Sequence, residues 1–480
     1  MYRYGQLISA LIGALFLFAA MSLSAQSLLR DPYGADEKVA PAPFLRWEST
    51  LPLPEVATSP PISGGLASNV TLPEVTEFAL RNNPRTRQTW LAARAAAAGV
   101  GMEQADRLPT ITGNYAVNRS QQVSATSGTI VPWQTRYGPS VSLSYVLFDF
   151  GVTGLQIEAA EYRLLAANLA HNRALQDVVF QVEQAYYRLI GNDALVRVNE
   201  ESLKNAETAL EAAQKRRESG LATVADVYRS ETLVAQARLN LTRSRGELEK
   251  SRGQLAFTVG LPVNVAISVR TLEAPPQTTA MVTSITDLLA RAKASRPDLV
   301  AAEAQVRASR ASASAVSRAG LPSIEISGGG GRNSFNDNRP SVSNYALGLN
   351  VRIPIFSGFR DTYATRQAQL QAEAAEANRD ALVKQAEVDV WQGYYDLTTV
   401  TSSISSTEAQ VRSAEQTAQA TLARYRSGFG SILDLITAQQ EESSARVQRI
   451  QSYLDWFTTF ARLQVAVGAS DILKTAGGAK

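Results

Sequence analysis

The chain has 480 residues, with 47 Lys plus Arg against 44 Asp plus Glu, a formal charge of +3. A balance this close to neutral, with acids and bases interspersed, excludes a nucleic-acid-binding surface as the organising feature. Cysteine is absent and histidine occurs once, at His171, so one chain has no disulfide, no lipid-bearing Cys and no His-based metal site or catalytic triad; no cofactor is expected.

Arg3, the apolar run Leu7 to Ala20 and the small residues Ser22, Ser24 and Ala25 lay out a secretory signal peptide over residues 1–25. The run is shorter than the about 20 residues that a permanent spanning helix needs, although an uncleaved anchor is the alternative and Leu23 weakens a cut at Ala25; no later stretch is apolar enough. Loss of Arg3 with the signal leaves +2. Residues 26–70 read as an extended arm, with Pro41, Pro43, Pro52, Pro54, Pro60 and Pro61.

From there the chain repeats itself. A shift of 208 lays Tyr186 and Tyr187 on Tyr394 and Tyr395, Gly220 on Gly428, Asp226 on Asp434 and Gly260 on Gly468. Upstream the shift is 213, pairing Pro84 with Pro297 and Leu108-Pro109 with Leu321-Pro322, which places a five-residue indel between Pro109 and Phe148. Two copies of one large unit result, at 71–260 and 284–470, joined by 261–283 and followed by a tail, 471–480.

In copy one, helical composition starts near Leu72 and ends at Leu108-Pro109. The period then changes to two. Val141, Leu143, Tyr145 and Leu147 fall on one face and Ser140, Ser142 and Ser144 on the other; Thr110 to Val117 alternates likewise, and the polar stretch Asn118 to Thr135 joins them. Copy two repeats this with Ile324 and Ile326, a Gly, Asn and Ser-rich loop around Gly328 to Asn344, then Tyr345, Leu347, Leu349, Val351 and Ile353. Each copy holds one hairpin, at 109–148 and 322–356. Strands of roughly nine to eleven residues are long enough to cross a bilayer when tilted. Four strands cannot close a barrel and open edges are not tolerated in lipid, so strands that enter a membrane require oligomerisation.

Long helices follow. Ile157, Ala160, Leu164, Ala167, His171, Ala174 and Val178 step by three and four, and the interval Gly151 to Gly220 lacks proline; continuous helix there spans roughly 100 Å. Gly220 and Gly428 mark turns, after which helix resumes through Asp226 and Asp434, giving helical hairpins with tips at 219–227 and 427–435. His171, matched by Arg379, reads as a polar contact between helices. Trp391, Tyr394 and Tyr395 are expected to pack inside the rod. Tyr115, Trp133, Tyr145 and Tyr345 are candidates for an interfacial girdle, and strand packing alone explains them about as well. The run Gly328 to Gly331 lacks the Lys and Ser or Thr of a phosphate loop and sits in a strand, where it lets a strand or loop bend.

The motifs LSYVLFDFG at Leu143 to Gly151 and LNVRIPIFSG at Leu349 to Gly358, with YRSGFGSILDL at Tyr425 to Leu435 and its sister SGLATVADV at Ser219 to Val227, resemble those of the TolC family of outer membrane efflux and secretion channels. The resemblance implies a mixed α and transmembrane β fold. In it a homotrimer forms a twelve-stranded barrel in outer membrane lipid, continued by a twelve-helix α-barrel of coiled-coil hairpins through the periplasm. It also implies an exit duct working with a periplasmic adaptor and an inner membrane RND or ABC transporter, with no enzymatic activity. At the tips it implies Tyr and Asp side chains linking helix pairs, with acidic residues ringing the entrance. By motif match these positions are Asp226, Tyr425 and Asp434, with tip turns at Gly220 and Gly428.

The sequence departs from that pattern at Thr437, where some members carry a second Asp, and at Gly430, where they carry an Arg. The aspartates have a simpler role open to them as caps of the returning helices. Two other readings compete with the channel: a periplasmic coiled-coil adaptor or scaffold that never enters lipid, and an exported enzyme, which the single His and the lack of any clustered carboxylate motif disfavour.

Overall fold

The computed structural model describes residues 70–121, 128, 130, 133–265, 267–269, 274–275, 284–336 and 340–468. The signal segment, the arm as far as residue 69 and the tail lie outside the described residues. The elements are α1 (Leu72–Asn82), α2 (Pro84–Ala105), β1 (Thr110–Ser120), β2 (Gln134–Phe148), α3 (Val152–Glu218), α4 (Val224–Val259), α5 (Ile285–Ser295), α6 (Pro297–Arg318), β3 (Ser323–Phe335), β4 (Val342–Arg352), α7 (Arg360–Arg426) and α8 (Ile432–Val467). The first helical stretch is thus two helices. Asn83 is extended before Pro84, whose ring disfavours a helical residue ahead of it, and the sister break falls at Arg296 before Pro297.

The bounds of α1 and α2 map onto α5 and α6 by a shift of 213, and those of α3 and α4 onto α7 and α8 by 208. The two registers change inside the hairpins, whose connections run from 121 to 133 in copy one and from 336 to 341 in copy two. An insertion there leaves every helix-to-helix contact in register.

The helix core forms at the seams between helices, and Ala, Val and Leu dominate it. All seven positions of the α3 stripe from Ile157 to Val178 are buried or half-buried. His171 takes part in a polar contact between helices, its Nδ1 lying 2.8 Å from Thr89 Oγ1 of α2, while Arg379 donates to Glu303 of α6 at 2.9 Å. Trp391 and Tyr395 do not pack inside: they are 52% and 48% exposed, because Val390, Gly393 and Leu397 take the buried stripe of α7. Tyr394 between them is half-buried.

Each long hairpin ends on a left-handed glycine pressed against the break between the two short helices of its own copy. Gly260 has φ +89° and Gly468 φ +78°; a Cβ at the first would lie 2.9 Å from Asn82 O, and at the second 2.9 Å from Arg296 N. The seam is closed by sister bonds, Asn83 Nδ2 to the Thr258 carbonyl at 2.8 Å and Arg296 Nη1 to the Ala466 carbonyl at 3.4 Å.

The strands form one antiparallel sheet in the order β1-β2-β3-β4, leaving β1 and β4 as its edges. The register puts Ile111 opposite Leu143, Leu143 opposite Gly328 and Gly328 opposite Leu347, so one apolar face runs across all four strands. The other face is polar: Asn350 Nδ2 donates to Ser327 Oγ at 2.7 Å, Asn333 Nδ2 to Asn344 Oδ1 at 3.2 Å, and Ser144 bonds Glu325. The glycine run sits in a strand, as expected, and the loop of copy two is shorter than the expected 328 to 344, running from 336 to 341. Gly328 to Gly331 lie inside β3, hydrogen-bonded on both sides, and on the apolar face Tyr345 and Leu347 cover the space that absent side chains leave at Gly330 and Gly328. β2 is longer than expected at 15 residues.

Candidate functional site

At the far ends of the long helices, α3 turns into α4 through 219–223 and α7 into α8 through 427–431. The turns need a left-handed residue to stop one helix and start the next, and Gly220 and Gly428 supply it at φ +72° and +92°, with open space around both. Returning helix α4 starts with a reciprocal cap. Thr223 Oγ1 accepts from the Asp226 N–H at 3.3 Å, and Asp226 Oδ2 accepts from the Thr223 N–H at 2.9 Å and from its hydroxyl at 2.9 Å. The sister helix has half of this arrangement. Ser431 Oγ accepts from the Asp434 N–H at 3.1 Å, while the Asp434 side chain is exposed and makes no hydrogen bond or ion pair among the described residues.

Tyr425, in the last turn of α7, is 2% exposed and packs with Ala209 and Ala213 of α3, Val227 of α4, and Ile432 and Leu435 of α8. It thereby joins the two hairpins of one chain. Its hydroxyl is buried without a hydrogen-bond partner among the described residues. Burial pushes its phenol upward, the Arg216 guanidinium opposes this and the Asp226 carboxylate adds to it, so it stays protonated at neutral pH. Asp226 thus lies close enough to Tyr425 to act on it electrostatically.

The residue that motif matching misses is Arg216, near the end of α3. Its guanidinium lies 4.6 Å over the Tyr425 ring and donates to the carbonyls of Tyr425 at 2.7 Å, Gly430 at 3.5 Å and Leu221 at 3.3 Å. Gly430 cannot easily carry the cation itself, because a Cβ there would lie 3.0 Å from Tyr425 N and 3.2 Å from Arg424 C. The cation that bridges the hairpins comes from the opposite hairpin instead. In sequence Arg216 is one of three consecutive bases, Lys215 to Arg217, which look like favourable partners of a helix C-terminus.

Above the tip a second cross-hairpin contact gathers around Arg446 of α8. It pairs with Glu442 at 2.7 Å, Glu415 of α7 at 3.1 Å and Glu201 of α3. Further along α3, Glu183 is 6% exposed, and burial pushes its carboxyl up to about 7. The folded state then binds a proton that the unfolded chain, near 4.5, releases, so stability falls as pH rises from about 4.5 to beyond 7. The loss is expected to reach about 3 kcal/mol per chain. Thermal melts should show a lower midpoint at pH 8 than at pH 5, and Glu183→Gln should flatten that difference.

The family model described as outer membrane efflux protein matches residues 75–261 and 288–469, one segment in each copy. The chain belongs to this family. Outer membrane efflux proteins, the TolC family, are channels and not an enzyme family. The protein is accordingly one of the bacterial outer membrane, extending into the periplasm. Among the family's members, protein CyaE of Bordetella pertussis is 27% identical over 448 residues, 91% of this chain and 90% of CyaE. Outer membrane protein TolC of Vibrio cholerae is 24% identical over 433 residues, 87% and 96% of the two chains. The fold matches the solved structure of VceC from Vibrio cholerae, with a TM-score of 0.73 at 20% identity over 83% of this chain and 96% of that one. It also matches the OprN channel, with a TM-score of 0.76 at 21% identity over 83% and 90%.

Proposed function

We propose that this protein is a passive exit duct, through which drugs, other toxic compounds or secreted proteins leave the cell as the last step of a tripartite efflux pump or type I secretion system. Three copies join edge β1 to edge β4 to close a twelve-stranded barrel in the outer membrane, and their helical hairpins form the conduit through the periplasm. The observation that carries this reading is the sheet. Its apolar face is continuous, its opposite face is polar, and its two edges are unpaired among the described residues of one chain, an arrangement stable in lipid only after closure.

The tips form the gated entrance. Arg216, Tyr425 and Asp226 hold the hairpins together in the closed state, and Asp434, whose exposed side chain makes no bond among the described residues, lines the ring where three copies meet. A narrow ring of carboxylates attracts cations and resists anions. The exposed apolar residues Leu221, Tyr228, Phe429 and Leu433 are suited to receive the helical end of a periplasmic adaptor, itself bound to an inner membrane RND or ABC transporter. Such a partner opens the duct to the extent that it binds the open state more tightly.

A heat-resistant oligomer that fractionates with the outer membrane tests the duct; a monomer found only in the periplasmic fraction would favour the scaffold. Asp434→Ala is expected to reduce cation selectivity and divalent block of the open channel several-fold with little effect on folding. Unchanged selectivity would remove Asp434 from the gate. Asp226→Ala should instead cost about 1 kcal/mol of helix stability through the lost cap.

A further inference from the structure

The apolar face of the sheet is not uniform from end to end. At the end joined to the helices it carries Ile324, Ile326, Leu349 and Val351. At the opposite end, which faces away from the periplasm, the same face carries two arginines. Arg119 follows Ile111, Tyr115 and Val117 in the period-two pattern of β1, and Arg332 follows Ile326, Gly328 and Gly330 in that of β3. Both are exposed, and no carboxylate among the described residues lies within ion-pair distance of either. The only acidic residue in the four strands, Glu325, is on the polar face near the helical end. Aromatic side chains surround the two bases: Trp133 stacks against Arg119 at 5.7 Å, and Tyr137 and Tyr345 stand on the same face, Tyr345 against Gly330.

We infer that Arg119 and Arg332, set among Trp133, Tyr137 and Tyr345, form a binding site for the phosphate groups of a lipid headgroup in the outer leaflet. The inference rests on the membrane-spanning reading of the sheet and adds a ligand to it. Long basic side chains on a lipid-facing surface are costly in hydrocarbon, yet they extend to the interface, where a guanidinium matches a phosphate with two parallel N–H donors. Aromatic rings at the same level fix the depth of the barrel. Positive charge that has no carboxylate partner among the described residues, at this end of the outward face, is complementary to phosphorylated glycolipid. Arg136 lies at the same end on the polar face and supplies an internal control, since it does not face lipid.

The purified full chain in detergent would be incubated with a glycolipid bearing two phosphates, or with the same glycolipid stripped of both, and bound lipid counted by native mass spectrometry. Preferential retention of the phosphorylated form is expected, weakened roughly tenfold or more in Arg119→Gln/Arg332→Gln, kept in the corresponding double Lys variant, and unchanged in Arg136→Gln. Equal binding of both glycolipids, or an equal loss in Arg136→Gln, would overturn the site. Displacement by millimolar inorganic phosphate would overturn the lipid assignment in favour of a free-anion site. Flotation of each form with neutral-lipid vesicles separates the two levels. Flotation without a phosphate preference sinks the site alone, whereas no flotation by any form sinks the membrane placement and the site with it.

Discussion

Replacing Arg216 with Ala is expected to open the periplasmic tip. The change removes three hydrogen bonds from a guanidinium to backbone carbonyls and its contact with the Tyr425 ring. Charge-assisted bonds of this kind contribute roughly 1.5–3 kcal/mol each, and the Tyr425 and Gly430 carbonyls lose their partner in a part-buried setting, whereas that of Leu221 is exposed. If the closed state alone makes these bonds, a loss of about 3 kcal/mol raises the open fraction roughly a hundredfold. Single-channel recordings should show long openings in place of brief ones, and cells should admit large antibiotics that the wild type excludes. The partner tyrosine allows a sharper comparison. Because the Tyr425 hydroxyl has no hydrogen-bond partner among the described residues, Tyr425→Phe should leave gating unchanged, whereas Tyr425→Ala, which removes a buried ring from the joint between hairpins, should leak like Arg216→Ala. A leaking Phe variant would mean that the hydroxyl, not the ring, holds the tip.

The second large effect concerns assembly. Gly468→Val puts a β-branched side chain on a residue at φ +78°, with its Cβ 2.9 Å from Arg296 N and from Ser295 C. The left-handed conformation alone costs about 1–2 kcal/mol for a residue with a Cβ, and the contacts are with backbone, which cannot rotate away. A total of about 3 kcal/mol or more is expected, enough to separate α8 from the α5–α6 break and prevent a heat-resistant oligomer from forming. Gly428→Ala is the control: φ is +92° but nothing lies near the added Cβ, so only the conformational cost of about 1 kcal/mol remains. Equal melting temperatures for the two variants would show that the packed glycine seam is not what holds the repeats together.

Much of this was legible in the sequence because repetition and periodicity carry it. The two shifts, 208 and 213, recover the helix pairs of both copies, since a helix that packs along its whole length tolerates no net insertion. Period two reveals the apolar and polar faces of β2 and β4. The glycine run in β3 has no alternation of its own, because a strand without side chains shows none, and its expected place in a strand is met by its pairing with β2 and β4. The break at Asn83 was readable from Pro84 and was obscured by the Ala-rich run that follows. The exposure of Trp391 was hidden because an aromatic residue next to a buried Val390 looks buried as well. At the tip, Asp226 and Tyr425 could be found by motif, but Arg216 could not. Its role depends on a crossing between hairpins about two hundred residues apart, and its sister in copy two, Arg424, remains exposed. Asp226 also serves a local purpose that motif matching alone does not separate from gating.

Conductance of the purified protein in a planar bilayer, recorded with and without divalent cations on the helical side, is the most direct test of the duct. Stable small-conductance openings that divalents block from that side alone are expected, with the block weakened in Asp434→Ala. Failure of the folded protein to insert, or currents indifferent to divalents on either side, would contradict a membrane-spanning duct entered through a ring of carboxylates.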